Sequence, residues 1–383
     1  MTPVFILITA ATFAYFVSVG ALIPTLPLYV EGPLGGGSVS VGLSIGAFSF
    51  SAVLLRPWVG HLGDRRGRRL LMVLGGLLVG ASVAAYIAVE SFTSLLVLRF
   101  ITGAGEAFFY VGAASAINDL APDERRGEAL SFFSLALYSG IAIGPVLGET
   151  VLKAYDFDAA WLVAAVSGFI AAVLAVRVPD TRPEPLGETG MRRFVHPAAL
   201  MPGTVLAASI WGLAGFNGFI TLYALDIGMD GSRALFVTFS VVVLAIRGLG
   251  ARIPDRLGPA RTSRAALAFS ATGLAVMGAW PESVGLFSGT VVFGVGQALA
   301  FPALMTMAVK SAPASERGSV VGTFTAFFDL AFGLGAVSLG GVAAVFGYRG
   351  LFLTASGIAG VGLGALIVRA TRRRQAAAAP PIG

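Results

Sequence analysis

The amino-acid sequence lacks several residues on which common protein chemistries depend. It contains no cysteine, which excludes disulfide bonds and thiol catalysis. Its two histidines, His61 and His196, are interpreted as loop residues outside any metal-ligand pattern. No P-loop sequence is present, which excludes a nucleotide site of that kind. Charged residues are also scarce, at 12%, whereas soluble globular domains carry about 25%.

Apolar residues dominate the composition instead. They make up 56% of the 383 residues, and the mean hydropathy is +0.85. A spanning helix needs about 20 apolar residues, and helices satisfy their own backbone groups in lipid. The sequence therefore predicts an all-α membrane protein with twelve transmembrane helices and no soluble domain. The predicted spans are residues 4–30, 39–59, 68–89, 92–118, 127–152, 158–177, 199–226, 232–253, 262–280, 283–309, 318–345 and 350–370.

Basic residues are distributed unevenly between the two sides of the predicted membrane. Of the 26 Lys and Arg residues, only Lys153, Arg233 and Arg349 fall on one side and only Arg99 lies within a span. The arginine-rich side is therefore predicted to be cytoplasmic, with both termini there, in a bacterial inner (plasma) membrane. The net charge of +6 is interpreted as a topology signal and a contact to membrane lipid, with no nucleic acid as partner.

The sequence also contains an internal repeat. Arg56 and Arg247 are 191 positions apart, and other residues of special type share this offset. These further pairs are Asp64 with Asp255, Arg65 with Arg256, Gly67 with Gly258, Gly103 with Gly294, Gly105 with Gly296, Pro122 with Pro313, Arg126 with Arg317 and Gly127 with Gly318. The predicted domains are a six-helix bundle at 1–177, a cytoplasmic linker at 178–198, a second six-helix bundle at 199–371 and a cytoplasmic tail at 372–383. Duplicated halves of this kind place a binding site between them.

A short charged loop separates the second and third spans. Residues 60–69 read Gly-His-Leu-Gly-Asp-Arg-Arg-Gly-Arg-Arg. The pattern G-x-L-x-D-R-x-G-R-R after an apolar helix resembles the signature loop of the major facilitator superfamily of secondary transporters. The resemblance implies two pseudo-symmetric six-helix bundles around a central cavity, which alternate in their access to the two sides.

Other spans carry further resemblances to this superfamily. Arg99 to Gly105 is similar to its R-x-x-x-G-x-G pattern in helix 4, and the proline-rich end of helix 1 (Pro24, Pro27) is similar to that of drug-exporter branches. Helix 5 resembles the G-x-x-x-G-P-x-x-G-G motif associated with antiporters, with Glu149 in place of the last glycine. The matching residues of this antiporter-like motif are Gly140, Gly144, Pro145 and Gly148.

The resemblance assigns a switch to the charged loop. In the superfamily, the loop forms a charge network with an acid at the cytoplasmic end of helix 4, so Asp64, Arg68 and Asp119 are predicted to form a conformational latch. Gly60, Arg65 and Gly67 complete the predicted latch residues. The alternative is that the glycines only permit a tight turn and the arginines only fix topology.

Charged side chains inside spans are the candidates for proton coupling. Arg99 and Glu106 lie seven residues apart, which places them on one face of a helix about 10 Å apart along its axis. Charged groups within a membrane are costly and mark functional sites, so Glu106 is predicted to exchange a proton, tuned by Arg99. The alternative is a static ion pair that fixes helix packing. Asp329 is a second candidate for titration or cation binding. The alternative is that its side chain only snorkels or forms a hydrogen bond near the cytoplasmic third of its helix.

Polar and aromatic side chains at similar depth are candidates for the substrate cavity. This set is Tyr15, Phe109, Tyr110, Asn217 and Gln297. Polar residues also join helices, and aromatic residues also pack, so part of the set is expected to be structural. Glu149, near the outer end of helix 5, is expected to be exposed at the cavity mouth.

These features predict a transporter and not an enzyme. The expected activity is proton-coupled export of a small amphipathic or drug-like compound by alternating access, as in the drug/proton antiporter branch. One alternative is a narrow exporter or a proton symporter for a sugar or other metabolite. Another is a non-transporting sensor or scaffold on the same fold. The expected partners are a small-molecule substrate, protons and membrane lipid, with no cofactor or metal, and a monomer is expected.

Overall fold

The computed structural model describes residues 3–121, 126–181, 195–249, 257–313 and 316–378, and within them it is helical, with no strand. Six helices form the N-terminal half. Their bounds are α1 Pro3–Glu31, α2 Ser38–Arg66, α3 Arg68–Ala84, α4 Phe92–Leu120, α5 Arg126–Ala154 and α6 Phe157–Val176, with a 3₁₀ turn at Ala85–Ala88. Two of these helices are capped at the N-terminus by a side chain. Ser91 accepts a hydrogen bond from Ser94 N (3.2 Å) at α4, and Asp156 accepts one from Ala159 N (2.8 Å) at α6.

The C-terminal half is built from the remaining helices. Their bounds are α7 Pro197–Asp226, α8 Arg233–Leu249, α9 Pro259–Ala279 and α10 Ser283–Lys310, followed by a helical stretch Arg317–Ala378. This stretch is broken at Gly347, whose φ of 67° and ψ of −178° are not helical. We therefore describe it as α11 (317–346) and α12 (348–378), which gives twelve helices in the described part of the chain.

The helices have the length and composition of membrane spans. Nine helical segments within the described ranges are long and apolar enough to cross a membrane. One of them, Ser319–Thr371, includes most of both α11 and α12. The predicted all-α membrane fold is thereby confirmed. Most of the predicted linker, residues 182–194, and residues 379–383 of the predicted tail lie outside the described residues.

The same helix pairs form within each half. In the first half α1 packs on α5 and α6, and α3 packs on α4 and α6. In the second half α7 packs on the α11–α12 stretch, and α9 packs on α10 and on the same stretch. The halves meet through α2 with α11, α5 with α8, and α1 with α7. The first two of these contacts are equivalent under the sequence repeat, because α2 corresponds to α8 and α5 to α11.

One end of the bundle carries polar links between the halves. We call the end that holds residues 60–69 the arginine-rich end, and the other the opposite end. At the opposite end, Tyr348 Oη donates to Glu31 Oε1 (3.0 Å), and Arg233 Nη1 donates to Thr150 Oγ1 (3.2 Å). The two halves are therefore tied together on the side where α1 and α11 end.

Candidate functional site

A charged cluster joins the two halves near the middle of the bundle. Arg56 Nη2 of α2 donates to both oxygens of Glu106 on α4, at 3.1 and 3.3 Å. Its Nη1 forms an ion pair with Asp329 on α11, in the other half. The guanidinium also lies 5.1 Å from the ring centroid of Tyr110. One arginine thus bridges an acid of its own half and an acid of the opposite half.

The position of this cluster suits a group that responds to conformation. Glu106 is the central residue of α4, and Arg56 and Asp329 lie on the arginine-rich side of the centres of their helices. The three side chains are 11–19% exposed, so the loss of one partner leaves a charge that is largely desolvated and uncompensated. Two carboxylates facing one guanidinium leave one net negative charge, which a single proton would neutralise.

The structure corrects the predicted partner of Glu106. Arg99 is buried, at 6% exposure, but its Nε donates to the carbonyl oxygen of Ser44 (3.0 Å), and its guanidinium lies 4.7 Å from the ring centroid of Phe48. Arg99 therefore joins α4 to α2 instead of pairing with Glu106. A separation of about 10 Å along one helix exceeds comfortable side-chain reach, whereas Arg56 approaches Glu106 from the neighbouring helix.

A second arginine occupies the equivalent place at the other interface. Arg247 of α8 stacks on Tyr138 of α5, with 3.8 Å from the guanidinium carbon to the ring centroid. Arg56 and Arg247 are 191 positions apart, and Tyr138 and Asp329 are also 191 positions apart. The α2–α11 contact and the α8–α5 contact are therefore built from equivalent positions, with an ion pair at one and a cation–π contact at the other.

The second acid of the cluster is also replaced in the repeat. Glu106 and Gln297 share the 191-position offset. Gln297 Nε2 donates to Ser209 Oγ (3.0 Å), Ser209 O (3.3 Å) and Ser270 Oγ (3.4 Å). This amide was a predicted cavity residue, and the structure instead uses it to join α7, α9 and α10 within one half.

The charged loop forms a network at the arginine-rich end. Arg68 Nη2 donates to Asp64 (2.7 Å), and its Nε donates to Asp119 at the end of α4 (3.2 Å). Asp119 also accepts from Thr181 Oγ1 (3.3 Å), and Arg68 N donates to Thr181 O (3.2 Å). The structure brings the three predicted latch residues together and ties them to the segment after α6. Their action as a latch stays a prediction.

The remaining residues of the predicted latch have different environments. Gly67 ends α2 with a φ of 91°, a left-handed conformation that glycine adopts readily. A Cβ at this position would lie 2.0 Å from an oxygen of Asp180. Gly60 lies within α2 with open space around it, and Arg65 is exposed. Gly67 therefore has a clear structural requirement, and Gly60 does not.

The antiporter-like motif of α5 packs against α1. A Cβ added to Gly144 would lie 2.6 Å from Gly20 Cα, and one added to Gly140 would lie 2.8 Å from the carbonyl oxygen of Phe13. A Cβ added to Gly148 would come closer still, to the carbonyl oxygen of Ala21, and Pro145 also lies beside Gly20. The motif thus permits a backbone-to-backbone contact between two helices of one half.

Glu149, the departure from this motif, is not exposed at a cavity mouth as predicted. It is 2% exposed, and its Oε2 accepts from the backbone N (3.1 Å) and Oγ (2.8 Å) of Ser232, which precedes α8 in the other half. Its Oε1 lies 3.2 Å from Lys153 Nζ, which also donates to the carbonyl of Asp230. Burial follows because the second half covers this position, which the sequence of α5 alone does not indicate.

The predicted cavity residues divide into packed and accessible groups. Tyr15 and Phe109 are fully buried and stack on each other, with ring centroids 4.1 Å apart. They belong to the core of the first half, so the prediction that they line a cavity is wrong for this conformation. Tyr110 and Asn217 are half-buried. The ring of Tyr110 contacts the guanidinium of Arg56, so Tyr110 belongs to the charged cluster.

Comparison with known proteins agrees with this architecture. The model of the Major Facilitator Superfamily matches residues 8–281 and 235–382. This chain belongs to the Major Facilitator Superfamily. Because members of this superfamily are transporters, the chain is an integral membrane protein of the transporter class, as the signature loop predicted.

Relatives within the superfamily cover nearly the whole chain. An uncharacterised transporter of this superfamily from Salmonella typhimurium is 29% identical over 363 residues, 93% of each chain. Another from Methanocaldococcus jannaschii is 24% identical over 355 residues, 89% of this chain and 91% of the relative. These relatives are similar over more than nine tenths of their length, but their names give no substrate.

Solved structures share the fold. The human organic anion transporter MFSD10 aligns with a TM-score of 0.74 at 19% identity, over 96% of this chain and all of that chain. An inward-facing bacterial homologue of the human lysosomal transporter Spinster aligns with a TM-score of 0.77 at 14% identity, over 96% of each chain. At these identities the likeness extends to the major facilitator fold alone.

Sequence reasoning missed the two arginines that lie between the halves of this major facilitator protein. Arg56 and Arg247 were interpreted as topology determinants at cytoplasmic helix ends, whereas both reach across the interface between halves. Their shared offset was the signal that could have found them. Extending the same offset to Asp329 and Glu106 would have matched them with Tyr138 and Gln297.

Proposed function

We propose that this member of the Major Facilitator Superfamily is a proton-coupled secondary transporter that exports a small amphipathic compound by alternating access. The observation that carries the proposal is the bridge made by Arg56 between Glu106 of the first half and Asp329 of the second. It is an ion pair across the surface along which the halves must separate. Protonation of a carboxylate in such a pair removes the attraction.

The two acids of the cluster have different roles in this proposal. Asp329 is the acid in the opposite half, so its protonation releases the link between the halves. Glu106 lies in the same half as Arg56 and keeps the guanidinium paired when Asp329 is neutral. Neither half is then left with a buried unpaired arginine, which would cost several kcal/mol. The proton thus favours separation at the level of the cluster without destabilising either bundle.

Export is the proposed direction because α5 matches most of the antiporter-like motif. Its glycines support the close α1–α5 contact through Gly144 and Gly20.

Proton symport of a metabolite is the second candidate, and the charge of the cluster favours it. One proton removes the net negative charge of Arg56, Glu106 and Asp329, which makes the region more attractive to an anion and favours binding of proton and anion together.

Reconstitution into proteoliposomes tests the coupling. The assay measures uphill accumulation of a fluorescent amphipathic dye under a pH gradient, with and without a protonophore. The probes are rhodamine 123 and 5-carboxyfluorescein. We expect the protonophore to abolish accumulation by the wild-type protein. Asp329→Asn should lower uphill accumulation at least about tenfold while retaining dye exchange at equilibrium, because exchange needs no proton turnover. Glu90→Gln, a change at an exposed residue of the opposite end, is the matched control and should behave as the wild type.

The outcomes separate the parts of the proposal. Accumulation that survives the protonophore would exclude proton coupling. Uphill accumulation by the Asp329→Asn variant at the wild-type level would exclude Asp329 as the coupling acid. The pH of a weakly buffered medium gives the direction, because dye entry by antiport acidifies the medium and dye entry by symport makes it alkaline. Absence of flux for every probe tried would favour the non-transporting scaffold.

A further inference from the structure

The charge of Arg247 is not compensated within the described part of the chain. Its guanidinium lies over the ring of Tyr138 at 3.8 Å, and none of its N–H groups donates to a described residue. Its Nε is buried and has no hydrogen-bond partner. The side chain as a whole is half-buried, and a cation that is partly withdrawn from water gains less from an aromatic face than from an acid. The position therefore keeps a cation that packing alone does not require.

The repeat shows what has changed at this position. Arg56, the counterpart of Arg247, is neutralised by two acids, Glu106 and Asp329. The positions equivalent to Glu106 and Asp329 hold Gln297 and Tyr138, of which Tyr138 contacts Arg247. Both acids are thus replaced by neutral side chains while the arginine is retained. A structural role would be met by the pair seen at Arg56 or by a neutral residue, so the retained cation indicates a ligand of opposite charge.

The geometry of the guanidinium selects the kind of ligand. The ring of Tyr138 lies 3.8 Å from the guanidinium carbon, and the N–H donors of a guanidinium lie in its own plane. The in-plane donors of an arginine bind the two oxygens of a carboxylate, or the oxygens of a phosphate or sulfonate. The ammonium group of a lysine, which acts as a point charge, binds these groups less specifically. The buried, unpartnered Nε is one of these in-plane donors.

We propose that Arg247, stacked on Tyr138, binds an oxyanion group of the transported compound, so the substrate is an amphipathic organic anion. The proposal rests on the proposed transport function, whether by export or by proton symport, and adds the charge of the substrate. The site lies between α5 and α8, at the interface of the two halves, so a bound anion contacts both. The acids held by Arg56 then lie on the other contact surface between the halves, away from the anion.

Binding to the purified full-length protein in a neutral detergent tests this inference without any transport. The probes are 5-carboxyfluorescein and rhodamine 123, which share a ring system and differ in the sign of their charge, and the readout is fluorescence anisotropy. We expect the wild type to bind the anionic probe at least about tenfold more tightly than the cationic one. A charge-assisted hydrogen bond contributes about 1.5–3 kcal/mol, so Arg247→Gln should weaken the anionic probe about 10- to 100-fold and leave the cationic probe unchanged.

Two further variants keep the test decisive. Tyr138→Asp places an acid beside Arg247 and reproduces the pair of Arg56 with Asp329, so it should fold and still lose the anionic probe. Arg261→Gln removes a cation at the exposed start of α9 and is the matched control, which should bind both probes as the wild type does. Equal binding of both probes, binding of neither, or an anion preference that survives in both Arg247→Gln and Tyr138→Asp would overturn the proposal.

A final arm distinguishes a transported anion from a lipid headgroup. Phosphatidylglycerol is added to the detergent during the anisotropy measurement. Retention of 5-carboxyfluorescein at lipid excess supports a substrate site, whereas displacement at equimolar lipid assigns Arg247 to the headgroup and overturns the proposal. Because binding needs no proton gradient, loss of proton coupling in the transport assay and loss of anion binding here are separate results.

Discussion

The buried carboxylate of Glu149 is predicted to hold the opposite end of the bundle closed. It accepts two hydrogen bonds from Ser232, at the start of α8 in the other half. Hydrogen bonds to a charged group contribute about 1.5–3 kcal/mol each, and a carboxylate at a helix N-terminus adds about 0.3–1 kcal/mol. Desolvation of the carboxylate offsets part of this, so Glu149→Ala should favour separation of the halves by about 2–4 kcal/mol. At tenfold per 1.4 kcal/mol, this changes the equilibrium about 30- to 700-fold.

The absence of cysteine makes this prediction directly measurable. Tyr155→Cys in the first half and Phe346→Cys in the second place spin labels at two positions of the opposite end that are 78% and 72% exposed. Pulsed electron paramagnetic resonance then gives the distance distribution across that end. We expect Glu149→Ala to move the main population to longer distances. Glu149→Gln should cause a smaller shift, since the amide oxygen still accepts hydrogen bonds without the charge.

A second acid at the same end provides the control. Glu90 is exposed between α3 and α4, so Glu90→Gln should leave the distances unchanged. An unchanged distribution in Glu149→Ala would refute the reasoning, because the carboxylate would then contribute nothing to closure. Equal shifts in Glu149→Ala and Glu149→Gln would show that side-chain packing, and not charge, holds the contact.

Two further predictions concern glycines and are checked by thermal unfolding in detergent. Gly67→Ala should destabilise the protein by about 1–3 kcal/mol, because φ is 91° and the new Cβ would meet Asp180. Gly60→Ala, in open space within a helix, should stabilise the protein by up to about 1 kcal/mol. Equal effects of the two substitutions would contradict this assignment. Gly144→Leu should destabilise the protein by more than about 3 kcal/mol, because the leucine side chain would separate α5 from α1 at Gly20. An unchanged unfolding temperature would mean that this contact is dispensable.

The fold was predictable because its causes are local. Runs of about 20 apolar residues predict spanning helices whatever their partners. The predicted span 92–118 corresponds to α4, Phe92–Leu120, and 283–309 corresponds to α10, Ser283–Lys310. The polar or charged ends of these helices mark where each run leaves the membrane.

The partners of the charged residues were less predictable because they depend on tertiary contacts. Asp329 was identified as a candidate from its apolar surroundings, but its partner Arg56 lies 273 positions away in the chain. Arg99 was expected to meet Glu106 because they share a helix face, and a neighbouring helix supplied a closer cation. Periodicity places a side chain on a face, but it does not indicate which neighbouring helix reaches that face.

The retained arginines of the two halves also have an electrical consequence. At one contact between the halves Arg56 is outnumbered by its acids, and at the other Arg247 has none within the described residues. Among the described residues, the two contacts between the halves therefore differ in the sign of their charge, and this difference runs across the bundle and not along its helices. In a medium of low dielectric constant such a lateral field is weakly screened. A compound with one charged end would enter this field already oriented, with its charged end towards one particular pair of helices.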